Sequence, residues 1–251
     1  MFLQNDDALE IPHGNSSVWR YMSTWKFEQL LINSTLFFPN ANALSDQYEV
    51  SIPESVKNKK RDDLINDGIT GNNLKGELEA FFWNTNPKKN CVFINCWSLT
   101  PHESYALWKI YLSGEANGVA VKTSVSKLKR SVINGQDNNP EPFYMGKVKY
   151  KKHLCDDNLS RLSLITTKKP FYDFEKELRL FILNDSPPEK SLDQTVNFIQ
   201  GKSVKIDVNE LIQEVYISPF ASQGYIDEVK QLLKKYGYSK ALIKESEILD
   251  M

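Results

Sequence analysis

Residues 170–183, PFYDFEKELRLFIL, place charged side chains inside a segment that otherwise has the composition of a buried strand. Its aromatic and branched residues predict a pleated, largely buried element. Because side chains alternate across a strand, Glu175, Glu177 and Arg179 are predicted to share one face. Two carboxylates and a guanidinium on a rigid strand favour a preorganised site. The same pattern also suits an edge strand with ion pairs on a solvent-exposed face.

The overall composition is typical of a soluble globular protein. The chain has 251 residues, of which 41% are hydrophobic and 25% are charged, and its formal net charge is -1. This balance excludes a global electrostatic attraction to nucleic acid or acidic lipid. The chain neither begins with a basic segment followed by a long apolar run nor contains a run as long as a membrane span. We therefore expect a cytoplasmic protein without membrane association.

The early part of the chain predicts a strand, a short helix and a second strand. The aromatic segment SVWRYMS, residues 17–23, is typical of a strand, and Ser23 or Thr24 suits the start of a helix. TLFFPN, residues 35–40, has strand composition again. We treat residues 1–16 as a lead-in and 17–251 as a single domain, with a charged insertion at about 50–76.

Arg20 stands between two aromatic residues in the first of these strands, where a permanently charged side chain is unusual unless an anion faces it. That anion is either a carboxylate of the chain, such as Asp46 or Glu177, or a ligand. Further along, the helix ESYALWKIYL carries Trp108 and Tyr111 at helical spacing. Aromatic residues with this spacing either pack in a core or face the ring of a ligand.

The ordered segments WRYMS, LFFPNANALSDQYE, CWS, ALWKIY, NGVAV, KVKY, FEKELR and VYISPF resemble a large bacterial family of unknown function. The pattern of that family is an Arg-Tyr strand, a helix, an Asn/Ser-Asp-x-x-Glu turn, a Trp-x-x-Tyr helix and a Glu-x-Glu-x-Arg strand. The resemblance spans about residues 17–248. It is specific because separate elements recur in the same order, whereas each motif alone is a weak signal.

The order of elements also resembles the ADP-ribosyltransferase fold, in particular that of DNA-modifying bacterial toxins. This resemblance implies an α+β fold with a mixed, mostly antiparallel split sheet and flanking helices. It implies NAD as substrate, a nucleic acid or protein as acceptor, and a toxin or phage-defence role. Arg20 would grip the dinucleotide, Glu177 would be the catalytic glutamate and Glu175 its companion. The other residues expected at the nucleotide are Tyr21, Trp108, Tyr111 and Arg179.

Two other functions remain compatible with the same residues. A metal-dependent nuclease would use Asp46, Glu49, Glu175 and Glu177 as magnesium ligands, with Lys168 or Lys169 near the scissile phosphate. A non-catalytic sensor or binding module would instead pair the carboxylates with Arg20 and Arg179. That module would have no open cleft beside the strand.

Overall fold

A mixed sheet of eight strands forms the centre of the computed structural model, which describes residues 2–44, 46, 48–135, 142–152, 159–184, 201–238 and 240–249. The strands of this part of the chain are β1 (Phe2–Leu3), β2 (Ser17–Ser23), β3 (Thr35–Pro39), β4 (Val92–Ser98), β5 (Gly118–Ser124), β6 (Pro142–Lys147), β7 (Lys149–Tyr150), β8 (Thr167–Lys168), β9 (Glu177–Leu183), β10 (Gly201–Lys205), β11 (Glu214–Ile217) and β12 (Leu242–Lys244).

The strand order in the main sheet is β1-β6-β9-β4-β2-β5-β11-β12. Neighbouring strands run antiparallel except at the two edges, where β1 pairs parallel with β6 and β12 pairs parallel with β11. Two small ladders, β3 with β10 and β7 with β8, lie outside this sheet. The predicted α+β architecture with a mixed, mostly antiparallel sheet is confirmed.

The helices of the described chain flank this sheet, and none of them is long and apolar enough to cross a membrane. They are α1 (Thr24–Asn33), α2 (Glu54–Asn66), α3 (Gly71–Thr85), α4 (Tyr105–Leu112), α5 (Val125–Asn134), α6 (Arg161–Ile165), α7 (Val208–Leu211) and α8 (Tyr225–Lys235). The main core lies between the sheet and the apolar faces of α1, α5 and α8. Phe27, Leu128 and Val229 are each fully buried there, where apolar contact area stabilises the fold.

The boundaries near the N-terminus differ in detail from the expected ones. Part of the lead-in belongs to the sheet, because β1 pairs with β6. The charged insertion contains two helices, α2 and α3, which pack on each other, and α3 continues to Thr85. The strand–helix–strand segment of β2, α1 and β3 lies where the sequence predicts it. Ser34, at a left-handed φ of 50°, ends α1 and reverses the chain into β3.

The segment that was predicted as one continuous strand is divided into two elements. Residues Pro170–Glu175 form a 3-10 helix, and β9 begins only at Glu177. Lys176 joins them with a left-handed φ of 44°, a conformation that a strand cannot contain. β9 is also not an edge strand, since β4 and β6 flank it, and its residues are buried on both faces as far as Ile182. The expected solvent-exposed face of ion pairs is therefore absent from β9.

β2 and β4 are neighbours in the sheet, yet they pair only at Trp19 and Ser98. By contrast, β2 pairs with β5 along its whole length, from Ser17 to Ser23. The two strands therefore diverge beyond Trp19 on β2. This divergence splits the sheet near its centre and opens space between β2 and β4.

Candidate active site

A cleft of about 730 Å³ lies beside the divergence of β2 and β4. Its volume falls in the range of about 300–1,000 Å³ that is typical of small-molecule sites. Side chains from several elements line it, among them Arg20, Tyr111, Cys96, Glu175 and Glu177. The cleft thus brings together residues of β2, α4, β4 and β9.

Arg20 is a cation of this cleft without a carboxylate partner among the described residues. Pairing between β2 and β4 does not reach Cys96, and the Arg20 guanidinium instead donates a hydrogen bond from Nη1 to the Cys96 carbonyl. An ion pair with Asp46 or Glu177, one of the two alternatives for Arg20, is not formed. Burial lowers the pKa of Arg20, but a guanidinium keeps its charge at neutral pH. Its remaining N–H groups are available to an anionic ligand.

Lys168 lies at the centre of a cluster of three carboxylates at the same cleft. Its Nζ is 2.6 Å from Glu175 Oε2, 2.7 Å from Glu177 Oε1 and 3.1 Å from Glu49 Oε1. The Lys168 side chain is only 7% exposed, so these ion pairs are screened little by water. The cluster joins β8, the start of β9 and the segment after β3.

Arg179 is the second cation of the cluster and pairs with two of its carboxylates. Its Nε donates to Glu177 Oε2 at 2.7 Å, its Nη2 pairs with Glu49, and its Nη1 donates to the Ile165 carbonyl at 2.8 Å. Arg179 is fully buried, and each of its three guanidinium nitrogens has a partner. Arg179 therefore holds the carboxylates in place, and its expected contact with a nucleotide stays a prediction.

Backbone geometry places Glu175 and Glu177 side by side even though they do not share a strand face. The left-handed Lys176 turns the chain between them. Ser98 Oγ donates to the Glu175 carbonyl at 2.9 Å, and the Glu177 N–H donates to the Tyr150 hydroxyl at 2.9 Å. The side chain of Glu175 is 14% exposed and that of Glu177 only 4%. Glu175 is thus the member of the pair that is more accessible from the cleft.

The two carboxyl groups differ in protonation. Burial, together with the hydrogen bond to Glu177 and the charge of Glu177, raises the pKa of Glu175 from 4.5 to about 8. Burial alone would also raise the pKa of Glu177, but the charge of Arg179 and the hydrogen bond from Glu175 hold it well below its usual range. At neutral pH the pair therefore consists of an ionised Glu177 and a protonated Glu175, which share one proton.

The proposed magnesium ligands are only partly brought together. Glu49, Glu175 and Glu177 converge, but the Lys168 ammonium already lies among their oxygens. Asp46 Oδ1 accepts a hydrogen bond from the Tyr48 N–H within its own turn. In the part of the chain that the structure describes, no group of three His, Cys, Asp or Glu side chains is arranged to hold a metal ion.

The expected aromatic residues occupy two different environments. Tyr111 is 40% exposed and lines the cleft, and its ring stacks at 6.3 Å on Tyr21. Tyr21 is 5% exposed, and its hydroxyl accepts from the Ser104 N–H at 2.7 Å. Trp108 is fully buried behind Tyr21, donates from Nε1 to Glu103, and does not line the cleft. Tyr111 is therefore the aromatic residue of this set that is best placed to contact a ligand ring.

Sequence reasoning missed two features of the cleft. It placed Lys168 near a phosphate, whereas Lys168 holds the three carboxylates together. It also assigned no role to Trp25, which lines the cleft and is 67% exposed. The helical spacing of the buried Phe27, Leu30 and Leu31 leaves Trp25 on the outer side of α1. The same pattern could therefore have predicted that Trp25 is exposed.

No protein-family model matches the chain, and no curated protein matches it. Among solved structures, the chain is similar to DarT from Thermus sp. 2.9 in complex with ADP-ribosylated ssDNA. The two are 12% identical with a TM-score of 0.43, over 95% of this chain and 98% of that chain. A similarity of this size establishes neither a shared family nor a shared function. Membership of the bacterial family with the motifs described above stays a prediction.

Proposed function

We propose that the protein consumes NAD in the cleft between β2 and β4 and transfers its ADP-ribosyl group to an acceptor. One observation carries the proposal: Arg20 and the Glu175–Glu177 pair, which the motifs single out, line the same cleft. An unpaired guanidinium and a carboxylate pair meet the two electrostatic requirements of this substrate. NAD contains an anionic diphosphate, and its glycosidic bond develops positive charge as it breaks.

Arg20 would bind the diphosphate. Its guanidinium has a single hydrogen bond to the Cys96 carbonyl and no ion pair with a described residue, so an anion need not displace a carboxylate. Tyr111 lies in the same cleft with an exposed ring that can stack on a base or on nicotinamide. These two residues would fix the dinucleotide with its glycosidic bond near the acidic cluster.

The carboxylate pair would act on the ribose. When the bond from the ribose carbon to the nicotinamide nitrogen breaks, its electron pair leaves with nicotinamide and the ribose becomes cationic. The ionised Glu177 supplies a fixed negative charge that stabilises this cation. Glu175, which is closer to the open cleft, would lose its own proton to solvent as the pH approaches about 8, and in that ionised form it would accept the proton that the acceptor loses on attack.

The acceptor would be a nucleic acid or a protein, and the biological role that of a cytoplasmic toxin or phage-defence effector. These assignments rest on the sequence resemblance to DNA-modifying toxins. The test is to incubate the protein with labelled NAD and a mixture of DNA, RNA and cell protein. We expect label in one acceptor class with the wild type and none with Glu177→Gln. Full transfer by a folded Glu177→Gln protein would overturn the proposal.

A binding module without transfer is the second candidate, and one observation favours it, although the cleft beside β9 differs from the closed surface expected of such a module. Glu177 is 4% exposed, and both of its oxygens pair with Lys168 or Arg179, as in a purely structural network. This candidate predicts that NAD binds without release of nicotinamide. Measuring binding and nicotinamide release in the same wild-type sample separates the two functions.

A further inference from the structure

The outer side of α1 carries a strongly exposed tryptophan beside two amide side chains. Trp25 is 67% exposed, although the same helix buries Phe27 and Leu30. Trp25, Gln29 and Asn33 follow each other at i, i+4 spacing, which places them on one side of a helix. All three line the same cleft as Arg20. An exposed indole at a cleft wall is a large flat surface on which a ligand ring can stack.

The two amides leave both a donor and an acceptor unused. Asn33 Nδ2 donates to Gln29 Oε1 at 3.2 Å, and neither side chain has another hydrogen bond to a described residue. The amide hydrogens of Gln29 and the oxygen of Asn33 therefore have no partner among the described residues, and both residues line the cleft. Paired donor and acceptor groups of Asn or Gln match the edge of adenine, which presents an amino group beside a ring nitrogen.

Two cations without carboxylate partners among the described residues, Lys26 and Arg20, line the same cleft as Trp25, Gln29 and Asn33. Lys26 follows Trp25, lines the cleft, and forms no ion pair within the described part of the chain. Arg20 is likewise without an ion pair there. The acidic side chains that line the cleft are those already neutralised by Lys168 and Arg179. This side of the cleft therefore favours an anion attached to a flat ring.

We propose that Trp25, Gln29 and Asn33 form a binding subsite for the base of an adenine nucleotide, with Lys26 at its phosphate. The indole of Trp25 stacks on the base, and the amides of Gln29 and Asn33 bind its edge. The subsite extends the NAD assignment by placing the adenylate half of the dinucleotide on α1. It does not depend on cleavage, because AMP alone contains the groups that it recognises.

The test is titration of the full chain with AMP, followed by tryptophan fluorescence and by calorimetry. AMP is expected to quench fluorescence in the wild type and in Trp83→Phe, and Trp25→Phe is expected to lose most of the quenching. Trp83 is a matched control, since it is 63% exposed but lies outside the cleft. Calorimetry of Trp25→Ala is expected to give an affinity for AMP about tenfold weaker, the size of a lost base stack.

Base-edge recognition is tested by comparing AMP with inosine monophosphate, which lacks the exocyclic amino group. The wild type is expected to prefer AMP several-fold, and Asn33→Ala is expected to abolish that preference. Unchanged affinity of Trp25→Ala for AMP, or no binding of AMP by the wild type, would overturn the subsite. NAD turnover is scored separately. If the wild type binds AMP at Trp25 but does not turn over NAD, the proposed function is wrong and the subsite stands. If the wild type turns over NAD and Trp25→Ala has an unchanged KM for NAD, the subsite is wrong and the proposed function stands.

Discussion

The ammonium of Lys168 lies 2.7 Å from Oε1 of Glu177, at the point where β8 ends and β9 begins. The same ammonium contacts Glu49 and Glu175, so one buried cation connects carboxyl groups from three segments of the chain. Because the cluster lies at the cleft, it couples the stability of the fold to the shape of the candidate active site. Changes at Lys168 are therefore expected to affect both.

Lys168→Met is expected to lower the free energy of unfolding by about 3–5 kcal/mol, since it removes one of the two cations that pair with the buried carboxylates and leaves Arg179 alone. Urea unfolding measures the change. Lys169→Met is the matched control, because the Lys169 side chain is exposed and lies over the ring of Tyr48. The control is expected to change stability by less than about 0.5 kcal/mol. Equal effects of the two substitutions would contradict the structural role of Lys168.

Stability is expected to fall as the pH rises through the window set by Glu175. The pKa of Glu175 is raised from 4.5 to about 8 in the folded chain. Below about pH 4.5 Glu175 is protonated in both the folded and the unfolded chain. Between about pH 4.5 and about pH 8 the unfolded chain binds fewer protons than the folded chain, so the stabilisation decreases with rising pH and is lost above about pH 8. The lowered pKa of Glu177 acts only at more acidic pH.

Glu175→Gln removes this titration. Urea unfolding at about pH 5 and about pH 8 is expected to show a smaller loss of stability in Glu175→Gln than in the wild type. Glu79→Gln, which changes an exposed carboxylate on α3, is expected to behave like the wild type. A wild-type stability that is flat across the window would rule out the shared proton.

Arg20→Gln is expected to weaken NAD binding by about tenfold or more, the usual cost of losing a hydrogen bond to a charged group. The chain should remain folded, because Arg20 forms no ion pair with a described residue. Calorimetry of NAD binding measures the effect. Arg130→Gln removes an exposed cation that pairs with Glu210 away from the cleft, and should leave NAD affinity unchanged. Equal affinities for Arg20→Gln and the wild type would show that the diphosphate binds elsewhere.

Substitution of Tyr111 is expected to affect NAD binding, whereas substitution of Trp108 is expected to affect the stability of the fold. Tyr111→Ala should raise the Kd for NAD by roughly twofold to tenfold with little loss of stability, because the ring is 40% exposed in the cleft. Trp108→Ala should lower the free energy of unfolding by about 3–5 kcal/mol, because it empties a fully buried site. Thermal unfolding and NAD titration of each variant provide the comparison. A loss of NAD affinity in a stable Trp108→Ala protein would reverse the assignment.

Local sequence signals were sufficient to predict the elements that are determined by residue type and by the spacing of apolar residues. The strand–helix–strand of β2, α1 and β3 follows from its aromatic strand residues and helical spacing. The continuous strand over residues 170–183 was wrong, because alternation of side chains does not report a change of backbone conformation. Lys176 adopts a left-handed φ, which no sequence pattern here marks.

The candidate site was predictable in its residue types but not in its pairings. The sequence singled out Arg20, Glu175 and Glu177, and all three line one cleft in the structure, while their functional roles stay predictions. The partner of Arg20 and the position of Lys168 depend on contacts between segments that are remote in sequence. Whether Trp108 or Tyr111 faces the cleft depends in turn on how α4 packs on β2, because both residues lie on the same amphipathic helix.

A crystal structure with an NAD analogue whose glycosidic bond cannot be cleaved tests the central claim most directly. We predict that the diphosphate lies within hydrogen-bonding distance of the Arg20 guanidinium and that the ribose next to nicotinamide contacts Glu175 or Glu177. Density for the analogue at another site, with the cleft between β2 and β4 empty, would contradict the account.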